Sequence, residues 1–207
     1  MTAIVDYGVG NLFSLSSSLA AIGEEAAVTR DAGEIAAAQR VILPGVGAFA
    51  DARRKLSESG LEGAVLSAAE SGKPLLGICL GMQLLFERSY EYGEHAGLGL
   101  LRGVVAPLAG RIPAELPIPH MGWNALSIVR PGGILNYVSQ GECVYFVHSY
   151  AAWGCEDSLC ATAEYGAPVT AAVQRGNIYG CQFHPEKSSR AGLAILRAFC
   201  ELGGGPC

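Results

Sequence analysis

Residues 74–86 read PLLGICLGMQLLF, and how this stretch is read decides the fold. Leu75, Leu76 and Ile78 make a short apolar run of the kind that fits a strand buried inside a parallel sheet. Cys79 follows, inside Gly77-Ile78-Cys79-Leu80-Gly81, and Met82 to Phe86 reads as a helix. A nucleophile between two glycines at a strand-to-helix turn is the cysteine form of a nucleophile elbow. The sharp turn strains the nucleophile's backbone, and small neighbours let the chain segments approach closely. The start of the helix points at Cys79 and favours thiolate over thiol. Taken alone, the stretch is also compatible with a buried packing cysteine, the usual fate of a free thiol.

Upstream, Ala3-Ile4-Val5 reads as a β-branched strand and Asp6 to Asn11 as a Gly-rich turn. A helix then runs through Leu12, Leu15, Leu19 and Ile22, which recur at helical spacing, and ends at Gly23. The turn lacks both G-x-G-x-x-G and G-x-x-x-x-G-K-[ST], which argues against a nucleotide site. Ala26–Val28 and Val41–Leu43 read as strands with a short Ala-rich helix between them. Pro44-Gly45-Val46-Gly47 ends the second of these strands. A helical region covers Asp51 to Ser71 and breaks near Gly60. This βαβαβ alternation predicts an α/β fold, a mostly parallel central sheet with helices on both faces.

Downstream the character changes. Gly103 to Trp123 is rich in Gly and Pro, with extended pieces at Val104-Val105 and Arg111-Ile112. Ala125–Val129, Val144–Val147, Thr170–Val173 and Asn177–Phe183 read as strands. Gly132-Gly133 supplies a turn, and Arg175-Gly176 joins the last two strands as a hairpin. A final helix spans about Ser189 to Leu202 and is stopped by Gly203-Gly204-Gly205. With no repeat and no long linker, the chain reads as a single domain over residues 1–207, its parallel sheet extended by antiparallel strands.

The 207 residues are half hydrophobic, only 16% charged, and carry a net charge of −5. That composition is globular, and the absence of a Lys/Arg run argues against nucleic acid or an anionic membrane as partner. No apolar run approaches about 18 residues, and no basic segment followed by an apolar one opens the chain. The seven cysteines are scattered, odd in number and without a C-x-x-C pair. A reduced cytoplasmic protein explains them better than a disulfide framework or a metal site. Cys143, Cys155, Cys160, Cys181, Cys200 and Cys207 are expected to be packing or surface residues.

A catalytic cysteine needs a base and a group that orients it. His184-Pro185-Glu186 follows directly on the strand ending at Phe183. If the chain stays extended through Pro185, His184 and Glu186 project to the same side. Strand ends on one edge of a parallel sheet converge, so His184 is expected to face Cys79, with Glu186 holding the imidazole's tautomer. His95 and His120 lie in loop-like sequence and read as solvated or structural. His148 ends a strand and is placed to line the cleft. For the oxyanion hole, the N–H of Leu80 is one natural donor, and Pro44-Gly45-Val46-Gly47 offers a second.

These residues carry a family resemblance. G-I-C-L-G-M-Q at Gly77–Gln83 with H-P-E at His184–Glu186 resembles the class I, or triad, glutamine amidotransferases, whose sheet is flavodoxin-like. P-G-V-G-A-F at Pro44–Phe49, P-H-M-G-W-N at Pro119–Asn124, Y-F-V-H-S-Y at Tyr145–Tyr150 and the opening D-Y-G-V-G-N are similar to the glutaminase subunits of imidazole glycerol phosphate synthases. The likeness runs from about Ile4 to Phe199. It implies that glutamine is hydrolysed through a γ-glutamyl thioester on Cys79, with no cofactor and no metal. It implies further that Gln83 and Glu91 contact glutamine, that Gly45 and Gly47 border it, and that the Ser149 and Tyr150 backbone holds its α-carboxylate. The second oxyanion donor becomes Val46 N–H, presented after a peptide turn. The implied partner is a (β/α)8-barrel cyclase subunit that receives the ammonia in a heterodimer, met by Asn11, Met121, Trp123, Tyr145 and Lys187. A triad amidotransferase of pyridoxal phosphate or purine synthesis, a cysteine hydrolase on the same sheet, and a non-catalytic module remain the competing readings.

Overall fold

The computed structural model describes residues 1–203, so Gly204, Gly205 and Cys207 lie outside it. The first half alternates strands and helices: β1 (Thr2–Val5), α1 (Leu12–Ala21), β2 (Ala26–Thr29), α2 (Ala32–Ala37), β3 (Arg40–Leu43), α3 (Phe49–Glu58), α4 (Glu62–Glu70), β4 (Leu75–Ile78) and α5 (Leu80–Leu84). Local chemistry accounts for several boundaries. The Asp31 carboxylate caps α2 by accepting from the N–H groups of Gly33 and Glu34 at 2.7 and 3.0 Å. The break between α3 and α4 falls at Gly60, whose φ of +73° is cheap only for glycine.

The second half is mostly β: β5 (Phe86–Ser89), β6 (His95–Ala96), β7 (Leu101–Pro107), β8 (His120–Ile128), β9 (Cys143–His148), β10 (Tyr150–Trp153), β11 (Leu159–Glu164), β12 (Pro168–Arg175) and β13 (Ile178–Cys181), closed by α6 (Ser189–Glu201). Nine strands form one sheet in the order β2-β1-β3-β4-β13-β12-β11-β8-β9. The strands from β2 to β13 are parallel, and those from β13 to β9 pair antiparallel. The α/β expectation therefore holds, including the antiparallel extension. A second sheet, β10-β7-β5-β6, packs beside it.

Alternation along the parallel strands explains the layers. Val5, Val41, Leu43 and Leu75 point to a face covered by Ile35, Phe49, Leu56 and Val65 of α2, α3 and α4. Ile4, Ile42, Leu76 and Ile78 point to the opposite face, covered by Leu15 and Leu19 of α1 and by Ile195, Leu196 and Phe199 of α6. β1, β3 and β4 are buried on both sides, as near-continuous apolar strands require, while β2 forms the exposed edge.

Three sequence expectations need correction. The helix after Cys79 does not reach Phe86. The carbonyls of Leu84, Leu85 and Phe86 instead accept from the N–H groups of Leu98, Leu100 and Gly99 at 2.8, 2.9 and 3.1 Å, which turns the chain into the second sheet. Neither His95 nor His120 is in a loop: His95 opens β6, half-buried, and His120 opens β8 and is fully buried. Arg111-Ile112 forms no strand, only an isolated bridge between Ala109 and Ile112. Among the described residues no helix is long and apolar enough to cross a membrane.

Candidate active site

β3, β4 and β13 are parallel neighbours, so their C-terminal ends share one edge of the sheet, the edge where α/β folds place their sites. Pro44 follows β3, Cys79 follows β4, and Gln182 to His184 follow β13. Cys181 pairs with Ile78, so the next residues on each strand, Cys79 and Gln182, lie side by side. The Cys79 N–H donates to the Cys181 carbonyl at 2.8 Å.

Cys79 has φ 55° and ψ −112°, a backbone conformation that costs a non-glycine residue about 1–3 kcal/mol. Close packing holds it there. A Cβ on Gly81 would lie 1.8 Å from the Leu43 carbonyl oxygen, and one on Gly77 would lie 2.7 Å from the Gly81 carbonyl oxygen. Only glycine fits at either position, so the elbow is clamped between β4 and the end of β3. The Gln83 N–H closes the first helical turn on the Cys79 carbonyl at 3.1 Å.

His184 and Glu186, the expected base and orienter, come together, though not by the route the sequence suggested. His184 is extended, but Pro185–Lys187 forms one 3-10 turn. That turn, rather than a continued strand, brings Glu186 Oε1 to 2.8 Å from His184 Nδ1, with both side chains only 3% exposed. A carboxylate accepts, so Nδ1 carries the proton and Nε2 is left for Cys79. Burial pushes the His184 imidazole down, but hydrogen bonds to Cys79 and Glu186 and their charges outweigh it and raise it to about 9. Ser188, which the sequence did not single out, latches the turn. Its Oγ donates to the His184 carbonyl at 2.6 Å and accepts from the Tyr145 N–H at 3.0 Å.

Cys79 and His184 open onto a cavity of about 310 Å³. Val46, Gly47, Leu80, Gln83, Glu91, Ser149 and Tyr150 all line it, as does His148. Gly45 is not among the residues that line this cavity. It packs on the elbow, where a Cβ would lie 2.7 Å from the Gly81 nitrogen, and borders a small cleft shared with Asn11 and Glu186. Gln83 Nε2 donates at 3.0 Å to both the Tyr150 carbonyl and Gln182 Oε1. Gln182 Nε2 in turn points at Cys79 Sγ, 3.7 Å away. The Glu91 carboxylate accepts from the Phe49 N–H at 2.5 Å, at the start of α3, so it ties the cavity wall to the exit of the Pro44–Gly47 loop. Tyr7 Oη donates to the Pro44 carbonyl at 2.7 Å and anchors the same loop from β1's side. Tyr7 and Gln182 carry no sequence signal that sets them apart from ordinary core residues.

The residues expected at a partner surface are grouped beside this edge. Met121 and Trp123 are 60% and 52% exposed on β8. Trp123 pairs with Tyr145 across β8 and β9, with ring centroids 6.1 Å apart. Lys187 Nζ lies 5.8 Å from the Tyr145 ring. Tyr145 also connects to the site, because its carbonyl accepts from the His184 N–H at 2.9 Å.

A thiol beside an oriented, protonatable imidazole, with a helix-start N–H and a glycine loop across a cavity, is equipped for acyl transfer. Comparison with known proteins agrees with that chemistry. Residues 3–201 match the family model for glutamine amidotransferase class-I, and the chain belongs to that family of glutaminase enzymes. More particularly, it is 52% identical over 97% of its length to imidazole glycerol phosphate synthase subunit HisH of Moorella thermoacetica, covering 94% of that protein. It is 47% identical to the HisH subunit of Wolinella succinogenes, over 98% of this chain and 100% of that one. Among solved structures, a glutamine amidotransferase crystal structure superposes with a TM-score of 0.76 over 99% of both chains, at 21% identity. The PurLQS structure from Thermotoga maritima gives a TM-score of 0.69 over 96% of both chains, at 20% identity. These distant structures share the fold.

Proposed function

We propose that the chain is the glutaminase subunit of imidazole glycerol phosphate synthase in histidine biosynthesis, acting as one domain in the cytoplasm. The observation that carries the chemistry is the His184–Glu186 pair at 2.8 Å on the strand end next to Cys79. The likeness to the HisH subunits, near 50% identity over nearly the whole chain, supports the pathway.

In this reading His184 holds the proton of Cys79, and Cys79 Sγ forms a bond to the amide carbon of glutamine. The C–N bond then breaks, and His184 returns the proton to the leaving ammonia. Water attacks the thioester, giving its proton to His184. The C–S bond breaks, glutamate leaves and the thiol is restored. Glu186 holds Nδ1–H throughout and stabilises the imidazolium. Leu80 N–H and Val46 N–H receive the oxyanion, the latter after the Pro44–Gly47 loop turns, and a lost donor costs about 100- to 1000-fold in rate. Gln83, Glu91, Gly47 and the Ser149–Tyr150 backbone hold glutamine. Gly45 acts by letting the loop pack on the elbow.

The ammonia passes to a (β/α)8-barrel cyclase subunit bound through Asn11, Met121, Trp123, Tyr145 and Lys187. That subunit makes imidazole glycerol phosphate and aminoimidazole carboxamide ribotide. The test is glutamate release by the purified chain, alone and with the cyclase plus its ribotide ligand. Slow release alone, a strong rise in the complex and its loss in Cys79→Ala support the reading. Equal rates alone and in the complex remove the loop gating, and no release in either removes the glutaminase assignment.

A further inference from the structure

His120 lies at the start of β8, one residue before the exposed Met121, and its ring is fully buried. It is stacked between two aromatic rings, with centroids 4.0 Å from Tyr165 and 4.8 Å from Phe146, each inclined by 18°. Its two nitrogens meet His148 Nε2 at 3.0 Å and Asn124 Oδ1 at 2.8 Å.

Counting protons along this chain of contacts gives one too few if both histidines are neutral. The Tyr150 carbonyl, 2.9 Å from His148 Nδ1, only accepts, so that nitrogen carries a hydrogen. Asn124 Nδ2 donates to the Glu164 carbonyl at 3.2 Å, so its Oδ1 is the atom facing His120 and must receive a hydrogen from His120 Nε2. His120 Nδ1 and His148 Nε2 would then be two bare lone pairs 3.0 Å apart. Turning the Asn124 amide over does not help, because its oxygen would then face the Glu164 carbonyl oxygen. One further proton, on His120 Nδ1, satisfies every contact at once. The stacked π faces of Phe146 and Tyr165 favour a cation between them.

We infer that His120 is a buried imidazolium that acts through neutral His148 to position the Ser149–Tyr150 wall of the active-site cavity. The titratable groups that face it are His148 from β9 and Tyr165 after β11, and no carboxylate is among its hydrogen-bond partners. Burial pushes both histidines down, His148 to about 3, so His148 is the neutral member. The hydrogen bond to Asn124 opposes that push on His120 without reversing it, so the charge on His120 rests on the proton count of its contacts. The Tyr150 carbonyl receives donors from two sides, His148 Nδ1 and Gln83 Nε2, and the adjacent Ser149 carbonyl accepts from the Leu108 N–H at 2.9 Å. The segment is therefore fixed by donors, and His120 fixes the orientation of one of them. The fixed charge also lies behind a wall proposed to hold an anionic α-carboxylate. This half of the inference rests on the glutaminase reading.

The test has two arms. In the intact chain, nitrogen NMR of the imidazoles at neutral pH is expected to show hydrogens on both nitrogens of His120 and on Nδ1 alone of His148. A single hydrogen on His120 overturns the charge assignment. In kinetics, His120→Phe keeps an aromatic ring in the stack and removes both donors. The KM for glutamine is expected to rise about tenfold or more, the size of one hydrogen bond to a charged group, while kcat changes little. An unchanged KM in a folded, active variant overturns the positioning role. If His120→Phe does not fold, His120→Leu, which also removes both donors, is expected to move KM the same way. A wild-type chain that releases no glutamate would sink the glutaminase reading and the positioning role with it, while the NMR arm still decides the charge.

Discussion

Gly81 and Leu43 touch through backbone: a Cβ added to Gly81 would sit 1.8 Å from the Leu43 carbonyl oxygen. This contact joins the helix after Cys79 to the end of β3. It sets the distance between the nucleophile and the Pro44–Gly47 loop. Gly81→Ala is therefore expected to lose about 3 kcal/mol, or roughly 10 °C in Tm, because neither backbone can retreat. Thermal unfolding of the variant checks it, and a Tm within a degree or two of wild type would refute the clamp.

Glu186 holds the hydrogen on His184 Nδ1. Glu186→Gln lets the amide present either a donor or an acceptor, so the imidazole loses its fixed tautomer. A fall in kcat of about 100- to 10,000-fold is expected, with KM nearly unchanged. Steady-state glutaminase kinetics in the full complex measure it.

The same pair links stability to pH. His184 is raised from 6.5 to about 9 in the folded chain: burial opposes the rise, and hydrogen bonds with Cys79 and Glu186 overcome it. A raised histidine stabilises the fold fully below pH 6.5, and the contribution fades as pH rises through about 9. Denaturant midpoints of wild type and Glu186→Gln should accordingly be furthest apart below 6.5 and converge above 9. A gap that widens with pH would contradict the sign.

Tyr7 Oη holds the Pro44 carbonyl at 2.7 Å in a buried position. Tyr7→Phe leaves that carbonyl without its partner, at a cost of about 1–3 kcal/mol. Because Tyr7 holds the Pro44 end of the loop, next to the proposed Val46 donor and away from Gly47, which is proposed to contact glutamine, kcat should fall more than KM rises. The opposite split would place the loop in substrate binding.

Trp123 is half exposed beside Tyr145 and Lys187. Trp123→Ala is expected to weaken binding of the barrel cyclase by about 2 kcal/mol or more. The Tm of the isolated chain should move by no more than a few degrees, since little core is removed. Titration calorimetry and a melt, run side by side, separate the two effects.

Local signals carried the parallel half of the fold. Short apolar runs in Ala3–Val5, Val41–Leu43 and Leu75–Ile78, helical spacing in Leu12–Ile22, and Gly60 as a break each act within a few residues. The elbow glycines and H-P-E were legible for the same reason, since a nucleophile turn and an adjacent base leave a short-range pattern. The second sheet was not legible. β5, β6 and β10 are short, and what halts α5 before Phe86 is hydrogen bonding from Leu98–Leu100, contacts the sequence does not rank. β8 was read too short because Gly122 and the prolines before it resemble a loop. Its pairing with β9 makes His120 a buried strand residue.

The class of fold, the family and the proposed nucleophile and base are readable from residues alone, because these rest on patterns that short-range sterics and chemistry impose. The tertiary structure alone decided how Glu186 reaches His184, through a 3-10 turn latched by Ser188. It alone placed Tyr7 under the Pro44 loop, aimed Gln182 at the thiol and sandwiched His120 between Phe146 and Tyr165. Each of these is a contact between residues distant in sequence or turned by packing. Its existence depends on strand order and register, which no local window contains.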